Sequence, residues 1–289
     1  MPDLTTEEKI KELLTDASRA FKDKDFENAI KFTTEIIELD DNHDAARYMR
    51  GFAAYTLHKY ERAVEDLSCC PVNMENNPTT YIDRAIAYTL LGKPAKAEPD
   101  FNLALEKCPD NPLAWFNRGY FYTHSNRSEE ALEDLNQAEK LGHKDGKLFF
   151  YRGICNFNLK RYSIATREFR KAEKLLPPEH EVHFLKGESH HTLKQFDLAI
   201  KSYDQYIYYN ENGKDHNKAL MKRLLSKISL KRIDDAQKDA DKILVRAPEM
   251  LKCSKDGVDL PVVGIEITPD GRMDLKVDTT ELDKKNKKR

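Results

Sequence analysis

No stretch of this 289-residue chain approaches the roughly 18 consecutive apolar residues of a membrane-crossing helix. Residues 1–20 mix charged and apolar positions and hold no apolar leader core. We therefore expect a cytoplasmic protein with no membrane association, nuclear and ciliary placement being the alternatives. Glycine (11) and proline (12) are scarce, while 39% of residues are hydrophobic. That composition is too apolar for overall disorder and suits one large domain or an elongated array. A basic surplus is missing too: 48 basic and 50 acidic side chains leave a net charge of -2, which argues against nucleic-acid binding. The five cysteines, Cys69, Cys70, Cys108, Cys155 and Cys253, are odd in number and form no C-x-x-C, so reduced thiols are expected rather than disulfides.

Signatures of chemistry are equally scarce. The chain has no nucleophile elbow, phosphate-cradling glycine loop or catalytic Cys/His pattern. Paired carboxylates such as Glu129 and Glu130, or Asp234 and Asp235, stand at helix starts, where the helix dipole favours them. "HEVHFLKGESHH" gathers His180, His183, His190 and His191 but lacks H-E-x-x-H spacing, and His183 and His190 fall on packing positions of a repeat. The expectation is a protein that is not an enzyme and holds neither metal nor cofactor.

What is present is a period. Ala29, Ala63, Ala97, Ala131, Ala165 and Ala199 follow one another at intervals of 34 residues. Ala17, Gly51, Ala85, Gly119, Gly153 and Gly187 form a second series with the same spacing, always small. A fixed period of this length signals stacked helix–turn–helix units. Glycine inside a helix costs about 1 kcal/mol against alanine, so Gly119 must sit where paired helices come closest, against Leu132 and Leu135.

The repeats resemble the tetratricopeptide repeat family. Trp115, Gly119, Tyr122, Ala131, Leu135 and Ala138 match its pattern in repeat four. Phe149, Gly153, Tyr162, Ala165, Phe169, Ala172 and Pro177 match in repeat five, and Gly187, Phe196, Ala199 and Tyr203 in repeat six. The resemblance implies an all-α, right-handed α-solenoid of about seven repeats over residues 8–250, bounded at 10–43, 44–77, 78–111, 112–145, 146–179, 180–213 and 217–250. Three departures stand out. Arg50, Arg84, Arg118 and Arg152 precede the small residue, and their stems are expected along a helix flank, paired with acidic neighbours. Pro71 should end the second helix of repeat two early, and Pro99 should kink that of repeat three. Pro94 suits a first helical turn.

In the family, the first helix of each repeat lines a concave groove. The matching positions are Tyr48, Met49, Phe52 and Tyr55 in repeat two, then Ile82, Asp83 and Ile86 in repeat three. Repeat four supplies Phe116, Asn117, Tyr120 and Thr123; repeat five Phe150, Tyr151, Ile154 and Phe157; repeat six Phe184, Glu188 and His191. Two readings stand: an apolar, aromatic groove for a peptide or amphipathic helix, or tight packing of a closely wound array. The expected contacts are Phe116, Asn117, Tyr120, Phe150, Tyr151, Ile154 and Phe157, with Tyr48, Phe52 and Tyr55. The Lys and Asn positions by which chaperone-binding members grip a terminal carboxylate are not matched in any frame, so no such clamp is expected.

Residues 251–289 form a tail. Val263, Ile265 and Ile267, then Met273, Leu275 and Val277, alternate with polar residues around "TPDG", which predicts a hairpin over 262–277. Its apolar face needs cover, from the open end of repeat seven, the protein's own groove or another protein. The basic end at 284–289 reads as solvated, a nuclear-import patch or a contact with an acidic surface being the alternatives. The expected function is a non-catalytic scaffold or adaptor binding a partner protein; a structural subunit of a cytoskeletal or ciliary assembly is the alternative, and a co-chaperone a weaker one.

Overall fold

The computed structural model describes residues 5–70, 79–213, 215–246, 253–255, 258–260 and 262–277. They form fourteen α-helices and four short strands, and the chain divides into two compact units, Met1–His143 and Lys144–Arg289. In the first unit α1 (Thr6–Lys22) packs on α2 (Phe26–Leu39), α3 (Asp44–Thr56) on α4 (Tyr60–Ser68), α5 (Thr79–Leu90) on α6 (Pro94–Lys107) and α7 (Pro112–His124) on α8 (Ser128–Lys140). In the second, α9 (Gly146–Asn158) pairs with α10 (Tyr162–Glu173), α11 (Val182–Thr192) with α12 (Phe196–Tyr209) and α13 (His216–Ser229) with α14 (Ile233–Arg246). The fold is an all-α array of helix–turn–helix repeats.

The small-residue series lies where the paired helices meet. A Cβ built on Gly119 would stand 2.8 Å from Leu135 Cγ and 3.3 Å from the Ala131 carbonyl. Leu132, expected to share this contact, is half-buried. On Gly153 the same Cβ would come within 2.4 Å of the Phe169 ring, and on Gly187 within 2.6 Å of Tyr203. Across each of these pairs a small residue on the first helix therefore faces a large one on the second. Repeat seven inverts the pair: Leu224 on α13 and Ala240 on α14 share one core, both fully buried.

The tight turns have their own register. Lys24, His58, Gly92, Asn126, Lys160, Lys194 and Lys231 all adopt a left-handed backbone, with φ between 58° and 66°. Each helix before such a turn closes with a paired cap; at the fourth repeat Asn126 N–H bonds Thr123 O (3.3 Å) and Arg127 N–H bonds Tyr122 O (2.9 Å). Glycine fills only one of the seven positions, so six repeats hold a side chain where glycine is the easier fit.

The arginines form a ladder. Arg50 binds Asp66, Arg84 binds Asp100 and Arg118 binds Asp134, each through two nitrogens to both carboxylate oxygens at 2.6–2.8 Å and sixteen residues along the chain. Arg223 repeats this with Asp239 at 2.6 and 2.9 Å, and Arg152 lies 3.4 Å from Glu168. The remaining nitrogen of three of these arginines reaches back sixteen residues, from Arg50 to Thr34 (3.3 Å), Arg84 to Ser68 (3.4 Å) and Arg118 to Asn102 (2.8 Å). Each of these three guanidinia thus joins the second helix of its own repeat to that of the repeat before. The acidic neighbours expected for these arginines are across the helix pair, not alongside.

Two proline expectations meet different outcomes. Helix α6 begins at Pro94 and runs through Pro99 to Lys107. Ala95, whose carbonyl loses its partner, and Pro99 are both exposed, so solvent takes over that bond. Helix α4 ends at Ser68, whereas Pro71 lies outside the described residues.

The predicted hairpin is present. β3 (Val262–Ile267) pairs antiparallel with β4 (Met273–Val277), with Ile267 opposite Met273 and an irregularity between Val262 and Gly264. Gly271 N–H bonds Thr268 O at 2.8 Å, and Gly271 itself sits at φ 87°, as a type I turn followed by a left-handed glycine requires. Ile265 and Ile267 are buried with Leu220, Leu224, Ala236 and Ile243, so the face is covered by repeat seven. The Gln237 amide seals the join, donating to Ile265 O (2.8 Å) and accepting from Ile267 N–H (2.9 Å). The side chains of Val263 and Val277, and the basic end at 284–289, lie outside the described residues. A second small hairpin, β1 (Cys253–Lys255) with β2 (Val258–Leu260), was not foreseen from the sequence.

Candidate functional site

In the first unit the first helices α3, α5 and α7 lie side by side, and α1 brings one ring to the same face. Tyr48 and Phe52, one turn apart on α3, stack at 6.5 Å; Phe52 contacts Tyr55 at 6.3 Å and Phe21 of α1 at 6.2 Å. Tyr55 in turn meets Tyr60 at 6.2 Å. On α7, Tyr120 packs on His124 at 4.2 Å and Phe116 on His143 at 4.6 Å. All of the expected residues here, Tyr48, Phe52, Tyr55, Phe116, Asn117 and Tyr120, are partly exposed. Asn117 turns its amide back to its own helix, donating to Leu113 O at 2.8 Å.

Asp83 of α5 stands among these rings. Its carboxylate accepts a hydrogen bond from the Tyr48 hydroxyl at 3.0 Å. Burial raises the Asp83 carboxyl to about 6, the Tyr48 bond only partly opposing the shift. Burial likewise pushes the Tyr48 hydroxyl up to about 12, with the Asp83 charge adding to it. The Tyr55 hydroxyl is raised as well, mainly by burial and then by Asp83.

The second unit is organised differently. Tyr151, Ile154 and Phe157 are half-buried, whereas Phe150 is only 3% exposed. Phe150 therefore leaves the set of expected contacts: its ring meets His180 edge-on at 4.5 Å and Phe169 at 6.1 Å, inside the helix packing. Ile82, Thr123 and Phe184, read from the sequence as groove-lining, are buried for the same reason. Polar groups on α11 are already engaged: Glu188 accepts from Tyr203 and, at 2.9 Å, from Lys222, and His191 bonds Ser226 at 2.8 Å.

The histidine run packs. His183 and His190 are buried, His190 against Gln195 at 2.7 Å and His183 3.3 Å from Glu173, and burial lowers both below the usual imidazole range. Among the described residues no group of three or more His, Cys, Asp or Glu gathers in metal-binding geometry. Repeat six also breaks the arginine ladder, with Lys186 and Ser202 at the paired positions; Lys186 turns to Glu173 instead (2.6 Å). A cavity of about 500 Å³ lies at that break, lined among others by Arg170, Lys201 and Ser202. Of the cysteines, Cys70 and Cys155 are buried and Cys69 is exposed; none of these three, nor Cys108, is in a disulfide.

Family models for the tetratricopeptide repeat match residues 101–133 and 180–212, one in each unit. The chain carries tetratricopeptide repeats in both units. No curated protein sequence matches it. Among solved structures it is similar to the C-terminal part of a repeat protein from Cytophaga hutchinsonii: 16% identity, 80% of this chain and 94% of that one covered, TM-score 0.63. The type IV pilus biogenesis factor PilW gives 16% identity, 71% and 94% coverage and a TM-score of 0.61. YrrB, described as a tetratricopeptide repeat protein with an unusual peptide-binding site, gives 20%, 66% and 94%, and 0.55. At these identities the likeness establishes the fold. No described helix is long and apolar enough to cross a membrane.

Phe21 and Tyr60 were missed from the sequence. Phe21 was legible, since it stands 34 residues before Tyr55 and so shares its repeat position.

Proposed function

We propose that the protein is a non-catalytic interaction scaffold that holds a segment of another protein, an extended peptide or an amphipathic helix, against the first-helix face of its first unit. One observation carries this reading: Phe21, Tyr48, Phe52 and Tyr55 form a continuous, partly exposed chain of rings at 6.2–6.5 Å, where a solitary protein normally presents polar side chains. Aromatic rings give large contact area for little conformational entropy, and the Tyr hydroxyls add directional polar contacts. The second unit contributes Tyr151, Ile154 and Phe157 as a smaller face of the same kind.

The test is selection of short random peptides on the purified chain. Peptides retained by the wild type should be lost by Phe52→Ala/Tyr55→Ala and kept by Tyr208→Ala, which removes a ring on a second helix of the other unit that is 79% exposed. Retention by both variants, or no retained peptide at all, would overturn the reading.

A further inference from the structure

The first unit contains two kinds of carboxylate set into the fold. Asp66, Asp100 and Asp134 each meet an arginine of their own repeat at 2.8 Å or less. Asp83 is held differently. It lies on the aromatic face, its hydrogen-bond donor is the Tyr48 hydroxyl, and among the described residues no lysine or arginine forms an ion pair with it. Glu188, which also faces inward from a first helix in the second unit, has Lys222 at 2.9 Å. Asp83 is thus a partly buried anion, set between rings, in a protein that elsewhere neutralises such anions with a cation.

We propose that Asp83, with Tyr48, Phe52 and Tyr55, forms a subsite for a cationic side chain, a lysine ammonium or arginine guanidinium carried by the bound partner segment. The chemistry of each component fits this guest. Ring faces attract a desolvated cation through their quadrupoles, and the carboxylate supplies a charge-assisted hydrogen bond. Tyr48 donates to Asp83, which leaves carboxylate lone pairs for the guest and fixes the direction in which they point. An anionic segment is repelled, and a neutral apolar one leaves the carboxylate without a partner, so the subsite selects by charge. The inference rests on the reading that this face binds a protein segment, and it adds where along that segment the positive charge must fall.

The experiment is the same peptide selection, run on the full chain as wild type, Asp83→Asn and Tyr48→Phe, with circular dichroism confirming that each variant is folded. Peptides selected by the wild type should carry Lys or Arg at one shared position. Asp83→Asn should bind them about tenfold or more weakly, and replacing that basic residue by norleucine should cost the wild type a similar factor. Norleucine replacement should cost Asp83→Asn little, because the charge it would meet is already gone. Tyr48→Phe keeps the charge and should fall between. Peptides that depend on Phe52 and Tyr55 yet show no shared basic position, or that Asp83→Asn binds equally well, would overturn the cation subsite and leave the binding face standing. Failure to select any peptide sensitive to Phe52→Ala/Tyr55→Ala would remove the face and the subsite together.

Discussion

Exchanging the sizes of Gly119 and Leu135 tests whether the repeats are held by volume complementarity. Leu135 is fully buried, and truncation to alanine should cost about 2–5 kcal/mol through lost burial and the cavity left behind. Gly119→Leu gains about 1 kcal/mol of helix propensity. It also forces a side chain into a gap where even a Cβ would stand 2.8 Å from Leu135 Cγ, and overpacking of that kind typically costs about 1–3 kcal/mol. The double variant Gly119→Leu/Leu135→Ala recreates the arrangement that repeat seven already uses with Leu224 and Ala240. It should be more stable than Leu135→Ala alone, with a coupling of about 1–3 kcal/mol in the favourable direction. Urea unfolding followed by tryptophan fluorescence suits the purpose, because Trp115 is the chain's single tryptophan and lies one turn before Gly119. Circular dichroism run in parallel shows whether the array melts as one, which repeat proteins need not do. Additivity of the two changes within about 0.5 kcal/mol would refute the reasoning.

Arg118→Ala should destabilise by about 3–5 kcal/mol, since it leaves Asp134 buried without its cation, while Arg118→Leu/Asp134→Leu should fall near neutral in thermal melts. Lys160→Gly should raise stability by about 1 kcal/mol because φ is 60° at that exposed turn; a lowered midpoint in urea would contradict this. Asp83 has its folded-state carboxyl raised from 3.8 to about 6, so the folded form holds that proton more tightly than the unfolded one. Its contribution to stability is therefore greatest below pH 4 and declines as pH rises to about 6, and Tyr48 and Tyr55 facing it from α3 stay neutral throughout. Asp83→Asn should then be more stable than the wild type at pH 7.5 by about 1–2 kcal/mol, the rise from 3.8 to about 6 being discounted for partial exposure, and no different at pH 4. Equal urea midpoints at both pH values would show that burial leaves this carboxylate unperturbed.

The fold was readable because its determinants recur. The two series of small residues repeat at 34-residue spacing, and a single close approach between helices explains the series that runs through Gly119. The hairpin was readable from alternation and from "TPDG", both local signals. What escaped were relations between positions that the period makes visible only when two series are compared. Arg118 and Asp134 each recur at the period, and their sixteen-residue offset is the span from one helix to its partner. The left-handed turns escaped for a different reason. Lysine fills four of the seven positions, and lysine is a poor signal for that backbone because Schellman-type bonds, not side-chain preference, impose it.

The candidate site was harder to read because helix periodicity says which face a residue shares but not how deep it sits. Phe150 and Phe116 occupy the same repeat position, one buried and the other partly exposed. What separates them is the neighbour each ring meets: His180 and Phe169 enclose Phe150, whereas His143 packs on Phe116 and leaves it part of its surface. Asp83 was placed on the inner face but given no role, because in sequence it looks like any helical aspartate. Its distinction is the contrast with Asp66, Asp100 and Asp134, whose arginines sit sixteen residues before them. The residue sixteen before Asp83 is Leu67, a fully buried core side chain, so the chain offers no cation from the position that serves the others. A carboxylate kept partly dry at a cost to stability is more easily explained by an external cation than by packing, since asparagine would fill the same volume without the charge.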